Sequence, residues 1–444
     1  MATDPVRRIQ QRDYQTDIDL HVIDPLTRLA NLPASLDAPY LTVSLDWTPS
    51  FDDPGRMPAE ELRASERRNR STQSTSRRPA RTWFEQEARN LLAGLDQRSA
   101  QYAQLEADIA RVNRFLDSEL DPAASGVYIV SCDAHGIFEP LALGVPVENA
   151  VETGPMPAVE ILAHVAEDYA TYGILMCSQQ EAELSFVTQG ARDRGVYLDS
   201  NLYPRRHRQG GPSERRFRAR ADERQSAFAR AVSNEVSKAL RETKVEVLVL
   251  VGSEVFANTL MNEFSPQVKE LVAGIIPMHL QGDSSIGTLV EATAPLAMEA
   301  ERRREAKAVA TLQEQLGGGL AVAGAIDVLR ALRAHQVSKL IMNEDFTASG
   351  WADFGFPLRG VGPVPDEHPA GGDVKHIVSV DLQEEFVRLA LQSGGAIEFV
   401  HTEVPVEIDP DKPLPQATGE LPRTDAAVAL DRIGGVGALL RFAI

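Results

Sequence analysis

The chain has 444 residues, 43% of them apolar and 25% charged, and a net charge of −19. That composition excludes a fibrous or wholly disordered protein and makes two or three globular domains the expectation. It holds no run of about 18 apolar residues, so no membrane span is expected, and the acidic balance argues against indiscriminate coating of DNA or other nucleic acid.

MATDPVRRIQQRDYQ opens the chain without the apolar core of a secretory signal, so the expected location is cytoplasmic. Residues 40 to 45 (YLTVSL) alternate strictly and predict a strand. Residues 49 to 81 are rich in Pro, Ser, Arg and Asp without apolar periodicity, and predict a mobile loop. From Trp83 to Leu120, apolar residues recur at three- and four-residue steps, as in an amphipathic helix or helical hairpin packed on its own sheet. The same periodicity would suit a partner-binding coiled coil. Gly126 leads into a strand (VYIVSC), and a second apolar stretch follows at 141 to 151.

At Tyr172 the rhythm changes to three short strands with tight gaps, YGILMCS, AELSFVT and VYLDS, the pattern of a meander. A long helix follows the next loop, with Phe217, Ala221, Phe228, Val232, Val236 and Leu240 on its buried stripe and arginines on its other faces. VEVLVLVGS (245 to 253) is a buried strand, and helices are predicted at 254 to 264 and about 284 to 315. Gly317, Gly318 and Gly319 form a hinge. Beyond them LAVAG, the helix AIDVLRALRAHQ and the strand VSKLIMNE alternate as βαβ units do. Residues 355 to 373 predict a loop, VSVDLQEEFVRLALQSGG a helix, IEFVH a strand, and GGVGALLRFAI closes the chain. These elements predict an α/β fold in three domains: residues 1–168 with a long helical segment, 169–295 and 296–444.

Positive charge is concentrated in two places. Residues 204 to 224 hold eight arginines, Arg205, Arg206, Arg208, Arg215, Arg216, Arg218, Arg220 and Arg224, together with His207, against Glu214, Asp222 and Glu223. Residues 63 to 81 hold Arg63, Arg67, Arg68, Arg70, Arg77, Arg78 and Arg81 against Glu66 alone. Two basic prongs on an acidic body point to one surface that meets a polyanion, and phosphate contact by arginine needs no base reading.

Other chemistry is weakly signalled. Cys132 and Cys177 are the only cysteines, both inside apolar runs, where they act as small hydrophobes and fit a reducing compartment. None of the nine histidines forms a His-x-x-x-His pair. Asp133, Asp193 and Asp199 could be carboxylates of a nuclease-like site, although Asp at strand ends serves turn capping more often. Gly252-Ser253 after a buried strand lacks the lysine of a P-loop. No cofactor and no metal are expected.

The segment RHRQGGPSERRFRARADERQSAFARAV resembles the tip and following basic helix of the middle domain of archaeal and eukaryotic class I release factors, where the tip reads Gly-Gly-Gln. GLAVAGAIDVLRALRAHQVSKLIMNEDF and the closing GGVGALLRF resemble their third domain. The order of these pieces over roughly residues 125 to 444 is similar to the bacterial archaeo-eukaryotic release factor family, a group related to Pelota-like rescue factors and Balon-like hibernation factors. The resemblance implies an RNase H-like middle domain and a C-terminal domain similar to kink-turn-binding ribosomal proteins. It also implies a ribosomal A-site partner, contact with ribosomal RNA, and elongation factor Tu as a candidate delivery partner.

Two departures narrow that expectation. No Asn-Ile-Lys-Ser type tetrapeptide lies between residues 83 and 125, so codon reading is unsupported, and residues 345 to 376 carry no cysteine pair. In the tip, Gly210 and Gly211 are kept, but Pro212 stands where the family has its catalytic Gln. Proline has neither an amide side chain nor a backbone N–H, so the matching donors are lost; Gln209 lies too early to replace them. As a local structure, Gly211, Pro212 and Glu214 make a competent helix start. The expectation is therefore a non-hydrolytic, ribosome-binding stress or hibernation factor that blocks the A site, with no catalytic residue. A peptidyl-tRNA hydrolase with a rebuilt tip, and a protein–protein adaptor unrelated to ribosomes, are the alternatives.

Overall fold

The computed structural model describes the chain except residues 1–5, 15, 17, 50–77, 201–212, 244, 279–285, 357, 405–421 and 443–444; at residues 7, 8 and 213–222 it describes the backbone alone. The described residues form a mixed α/β structure that divides into two compact units, Met1–Thr16 with Tyr169–Glu301, and Asp17–Asp168 with Arg302–Ile444.

In chain order, β1 (Val6–Asp13) precedes α1 (Ile23–Ala30) and β2 (Tyr40–Asp46). The helical segment is a hairpin, α2 (Pro79–Ala93) and α3 (Ala100–Ser118). Pro79 starts α2, and the Ser99 hydroxyl caps α3 by accepting the Tyr102 N–H at 3.1 Å. The loop predicted to end at residue 81 therefore gives way to helix at Pro79, and most of it lies outside the described residues. Then come β3 (Gly126–Cys132), β4 (Ile137–Leu143), β5 (Ala150–Gly154) and α4 (Glu160–Asp168). The antiparallel sheet runs β4-β3-β2-β5. Alternation on β2 and β3 sorts its faces: Leu41, Val43, Val127 and Ile129 meet Phe84, Ile109, Val112 and Leu116 of the hairpin. Tyr40, Tyr128 and Val130 face the other way, into a different core.

The meander follows as β6 (Tyr172–Cys177), β7 (Glu181–Thr188) and β8 (Ala191–Ser200). Gln189 (φ 49°) and Gly190 (φ 70°) turn the chain between β7 and β8, a two-residue hairpin connection that needs positive φ at both positions. Next are α5 (Ser213–Thr243), β9 (Leu248–Gly252), α6 (Glu254–Glu263), α7 (Pro266–Leu271), β10 (Val272–Pro277) and α8 (Ile286–Leu316). The six-stranded sheet runs β1-β8-β7-β6-β9-β10, antiparallel from β1 to β6 and parallel from β6 to β10. The edge strands β1 and β10 went unread in the sequence. β1 (VRRIQQRD) is mostly charged or polar, as edge strands often are, and β10 is a short run ending in proline. Residues 6 to 13 thus pair within the six-stranded sheet, in the unit that also holds Tyr169–Glu301.

After α8 stop β11 (Ala321–Ala323), α9 (Ala325–Arg333), β12 (Val337–Asn343), β13 (Ser349–Asp353), β14 (Leu358–Val361), β15 (Ile377–Asp381), α10 (Leu382–Gln392), β16 (Ala396–Val400), α11 (Asp425–Asp431) and β17 (Val436–Leu440). One sheet runs β11-β17-β12-β16 and a smaller one β14-β13-β15. The predicted helix from 378 begins instead at Leu382. Residues 377 to 381 pair with β13 as a strand, and the Asp381 carboxylate caps α10 by accepting the Gln383 N–H at 2.7 Å. The loop predicted from 355 contains β14, which pairs with β13.

The first and last parts of the chain share one core. Leu26 and Leu29 of α1, Leu162 and Val165 of α4, and Val328, Leu332, Phe386 and Val387 of α9 and α10 belong to a single buried cluster. An ionic knot lies at the same place. The Glu384 carboxylate accepts the N–H groups of Val159 and Glu160, each at 2.8 Å, and Arg388 donates to the Pro157 carbonyl at 3.0 Å. Arg388 also pairs with Glu384 and with Glu385 (3.4 Å), and Arg359 pairs with Glu385.

Candidate nucleic-acid interface

Helix α5 carries the arginine-rich segment out of the loop that precedes it. Its buried stripe, Phe228, Val232, Val236 and Leu240, packs on β7, β6 and β9 through Leu184, Leu175 and Leu250. Phe228 stacks on Phe256 of α6 with centroids 5.7 Å apart, and Ser233 donates to the Glu263 carbonyl at 3.1 Å. At about 1.5 Å per residue, Phe228 lies about 22 Å along the helix from Ser213. The helix backbone places Arg215, Arg216, Arg218 and Arg220 in its first turns. Gln209, Gly210, Gly211 and Pro212, with Arg205, Arg206, His207 and Arg208, lie outside the described residues. Arg224 is exposed, and so are Arg230, Asn234, Lys238 and Arg241, which recur on the stripe opposite the buried one. In the sequence they are marked only as part of the arginine-bearing faces off the buried stripe. Their helical spacing was the available signal.

The strand β1 is tied to this sheet by one carboxylate. Glu183 accepts from Arg12 at 3.0 Å and from the Tyr14 hydroxyl at 2.7 Å, and Arg192 donates to that hydroxyl at 3.0 Å. The Tyr14 ring lies over Gly195, where a Cβ would stand 3.6 Å from it and 2.7 Å from the Leu184 carbonyl oxygen. Arg12 sits 4.5 Å over the Tyr197 ring. The Tyr197 phenol donates to Glu181 at 2.8 Å; its burial, with that hydrogen bond and the Glu181 charge, pushes it up to about 12.

The second basic loop divides. Arg67, Arg68, Arg70 and Arg77 lie outside the described residues. Arg78 donates to the carbonyls of Trp47, Ala124 (3.4 Å) and Pro122 (3.1 Å), with its guanidinium 5.3 Å from the Trp47 ring. Arg81 reaches Asn113 at 2.6 Å, Asp117 at 3.0 Å and Glu85 at 3.4 Å. These two arginines tie the start of α2 to β2, α3 and the turn before β3.

The other candidates are not brought together. Asp133 lies in one unit, while Asp193 and Asp199 lie on the same strand of the other. Cys132 and Cys177 are buried and unpaired in separate units, and burial pushes the Cys177 thiol up to about 12. Among the described residues, no group of His, Cys, Asp and Glu could hold a metal ion, and no helix is long and apolar enough to cross a membrane. In the cysteine-free segment, buried His368 lies 2.8 Å from Asp353 and holds its carboxyl below the usual range. A second polar cluster joins α4 to β16. The His164 ring stacks on Phe399 at 3.6 Å, and burial lowers it to about 4. Burial also works against a charged His401, but Glu305 at 2.8 Å, helped by Asp168, outweighs it and raises that ring.

Residues 157–298, which include the meander, the arginine segment and α5, match the model of bacterial archaeo-eukaryotic release factor family 10. The chain is 23% identical over 289 residues to peptide chain release factor subunit 1 of Archaeoglobus fulgidus, covering 61% of this chain and 65% of that protein. It is 25% identical over 199 residues to eukaryotic peptide chain release factor subunit 1 of Podospora anserina, covering 43% and 46%. The match thus spans less than two thirds of the length of either relative. Among solved structures, an archaeal Pelota from a model of ribosome-bound Pelota and ABCE1 is similar at 16% identity, 70% and 73% coverage and a TM-score of 0.38. An archaeal translation termination factor is similar at 18% identity, 95% and 98% coverage and a TM-score of 0.23. These matches support a likeness to the bacterial archaeo-eukaryotic release factor family, carried by residues 157–298.

Proposed function

We propose that this protein is a ribosome-associated, release-factor-like factor that occupies the A site and holds translation off without hydrolysing peptidyl-tRNA, acting in the cytoplasm under stress or dormancy. The observation that carries this reading is Gly-Gly-Pro at residues 210 to 212, ahead of a helix whose first turns are rich in arginine. The glycines keep the close backbone approach that an ester-probing tip requires. Pro212 removes the N–H and the amide that would bind developing charge on the reacting ester. Such a donor is commonly worth about 2.7–4 kcal/mol of barrier. The arginines Arg205, Arg206, Arg208, Arg215, Arg216, Arg218 and Arg220, with His207, would hold ribosomal RNA phosphates.

The likeness to proteins named as peptide chain release factors supports the ribosome as partner. The strand order β8-β7-β6-β9-β10, three antiparallel strands followed by two parallel ones, supports an RNase H-like reading of the middle part, residues 169–295. The four-stranded sheet β11-β17-β12-β16 with its flanking helices supports the reading of residues 296–444 as similar to kink-turn-binding ribosomal proteins. Arg78 and Arg81, engaged with their own fold, are left out of the RNA-binding set.

Single-turnover release of labelled peptide from ribosomes carrying peptidyl-tRNA tests the proposal. Wild type should bind and release no more than background. Release well above background, falling in Gln209→Ala, would replace this reading with a hydrolase.

A further inference from the structure

We infer that the outer ridge of α5, formed by Arg230, Asn234, Lys238 and Arg241, is a second phosphate-contact surface that extends the RNA footprint along the helix away from the tip. All four residues are exposed. They follow one another at four, four and three residues, which keeps them on one helical stripe. The stripe lies opposite Phe228, Val232, Val236 and Leu240, whose burial against the sheet fixes the rotation of the helix. Among the described residues, no ion pair engages Arg230, Lys238 or Arg241; Arg230 makes only a local hydrogen bond to the Ser226 carbonyl at 3.4 Å. Glu235 and Glu242 sit on the flank of the helix rather than on the ridge, and exposed Glu223 bounds it about two turns before Arg230.

The partner chemistry follows from what the ridge carries and lacks. Arg230 and Lys238 are about 12 Å apart along the axis, and Arg241 about 17 Å from Arg230, at 1.5 Å per residue. A row of cations with one amide between them suits a chain of phosphates. A protein partner would ask for an apolar or aromatic anchor, and among the described residues no exposed large hydrophobic side chain lies on α5. In a chain of net charge −19, three unpaired cations continuing from an arginine-rich helix start point to RNA.

This inference rests on the proposed ribosomal role, and its test separates the two. The probe is a large-subunit ribosomal RNA transcript, with binding measured from 50 to 300 mM salt. The triple variant Arg230→Gln, Lys238→Gln, Arg241→Gln should flatten the log–log salt slope by about 2 to 3 and weaken binding about 100-fold near 150 mM, at 0.7 to 0.9 per phosphate contact. Arg230→Lys with Arg241→Lys keeps the charges and should keep the slope. An unchanged slope in the triple variant, with wild type binding, would overturn the ridge and leave the tip reading standing. Wild type that does not bind the transcript at all would overturn both. Displacement of the RNA by poly-glutamate at equal charge would overturn the ridge in favour of an acidic protein.

Discussion

Replacing Arg388 by Met should unfold the unit that holds the chain's first and last parts far more easily. The Arg388 side chain is 4% exposed and lies between Glu384 and Glu385, with a further bond to the Pro157 carbonyl. Met fills similar volume but leaves Glu384 with only its two backbone donors and no cation. Glu385 keeps Arg359, while the Pro157 carbonyl loses its donor. Removing one partner of a buried ionic group typically costs about 3–5 kcal/mol, because the remaining charge stays buried. Trp47, Trp83 and Trp351 are the only tryptophans, and all three lie in this unit, so urea unfolding followed by tryptophan fluorescence reports on it selectively. Adding Glu384→Gln should recover part of the loss by removing the uncompensated charge. Burial, partly offset by Arg388, raises the Glu384 carboxyl, so the cost should shrink as pH falls and that group takes a proton. A loss below about 1 kcal/mol, the range of an exposed pair, would refute the claim that this knot joins the two parts.

Three further outcomes are expected. His164 is lowered from 6.5 to about 4 by burial, so the unfolded chain takes its proton first and stability falls as pH drops below 6.5. Between pH 7 and 5 that amounts to about 2 kcal/mol, and His164→Phe, which keeps a ring on Phe399, should remove it; an unchanged pH dependence of tryptophan-monitored unfolding would contradict this. Pro212→Gln restores Gly-Gly-Gln and should release peptide about 100-fold above the wild-type background, about 2.7 kcal/mol of barrier; release by wild type at the same rate would contradict the disarmed tip. Replacing Arg205, Arg206 and Arg208 by Ala should lower the salt slope of ribosome binding by about 0.7 to 0.9 per contact, and an unchanged slope would mean that these arginines face solvent.

Local patterns carried much of the fold into the sequence. Strict alternation revealed β2, tight apolar runs revealed the β6–β8 meander, and the Phe228–Leu240 periodicity revealed α5. Where pattern and partner diverge, the sequence was mute. β1 carries little apolar signal because it is an edge strand, and β15 reads as helix because its alternation merges with the amphipathic start of α10. The common core was also invisible, since Glu384 meets the start of α4 across more than two hundred residues. Charge misled in one place and informed in another. Arg78 and Arg81 look like part of a solvated basic run, yet distant carbonyls and carboxylates hold them. The ridge Arg230–Lys238–Arg241 was written in the helical spacing but became meaningful only when burial fixed the rotation of α5.

The central claim, occupation of the ribosomal A site by a disarmed tip, is tested most directly by sedimentation of the full chain with ribosomes carrying peptidyl-tRNA, with the A site vacant or filled by tRNA, at near-physiological salt. The account predicts binding to the vacant complex, exclusion from the filled one, and peptidyl-tRNA left intact in both. No binding, or binding indifferent to A-site tRNA, would contradict it.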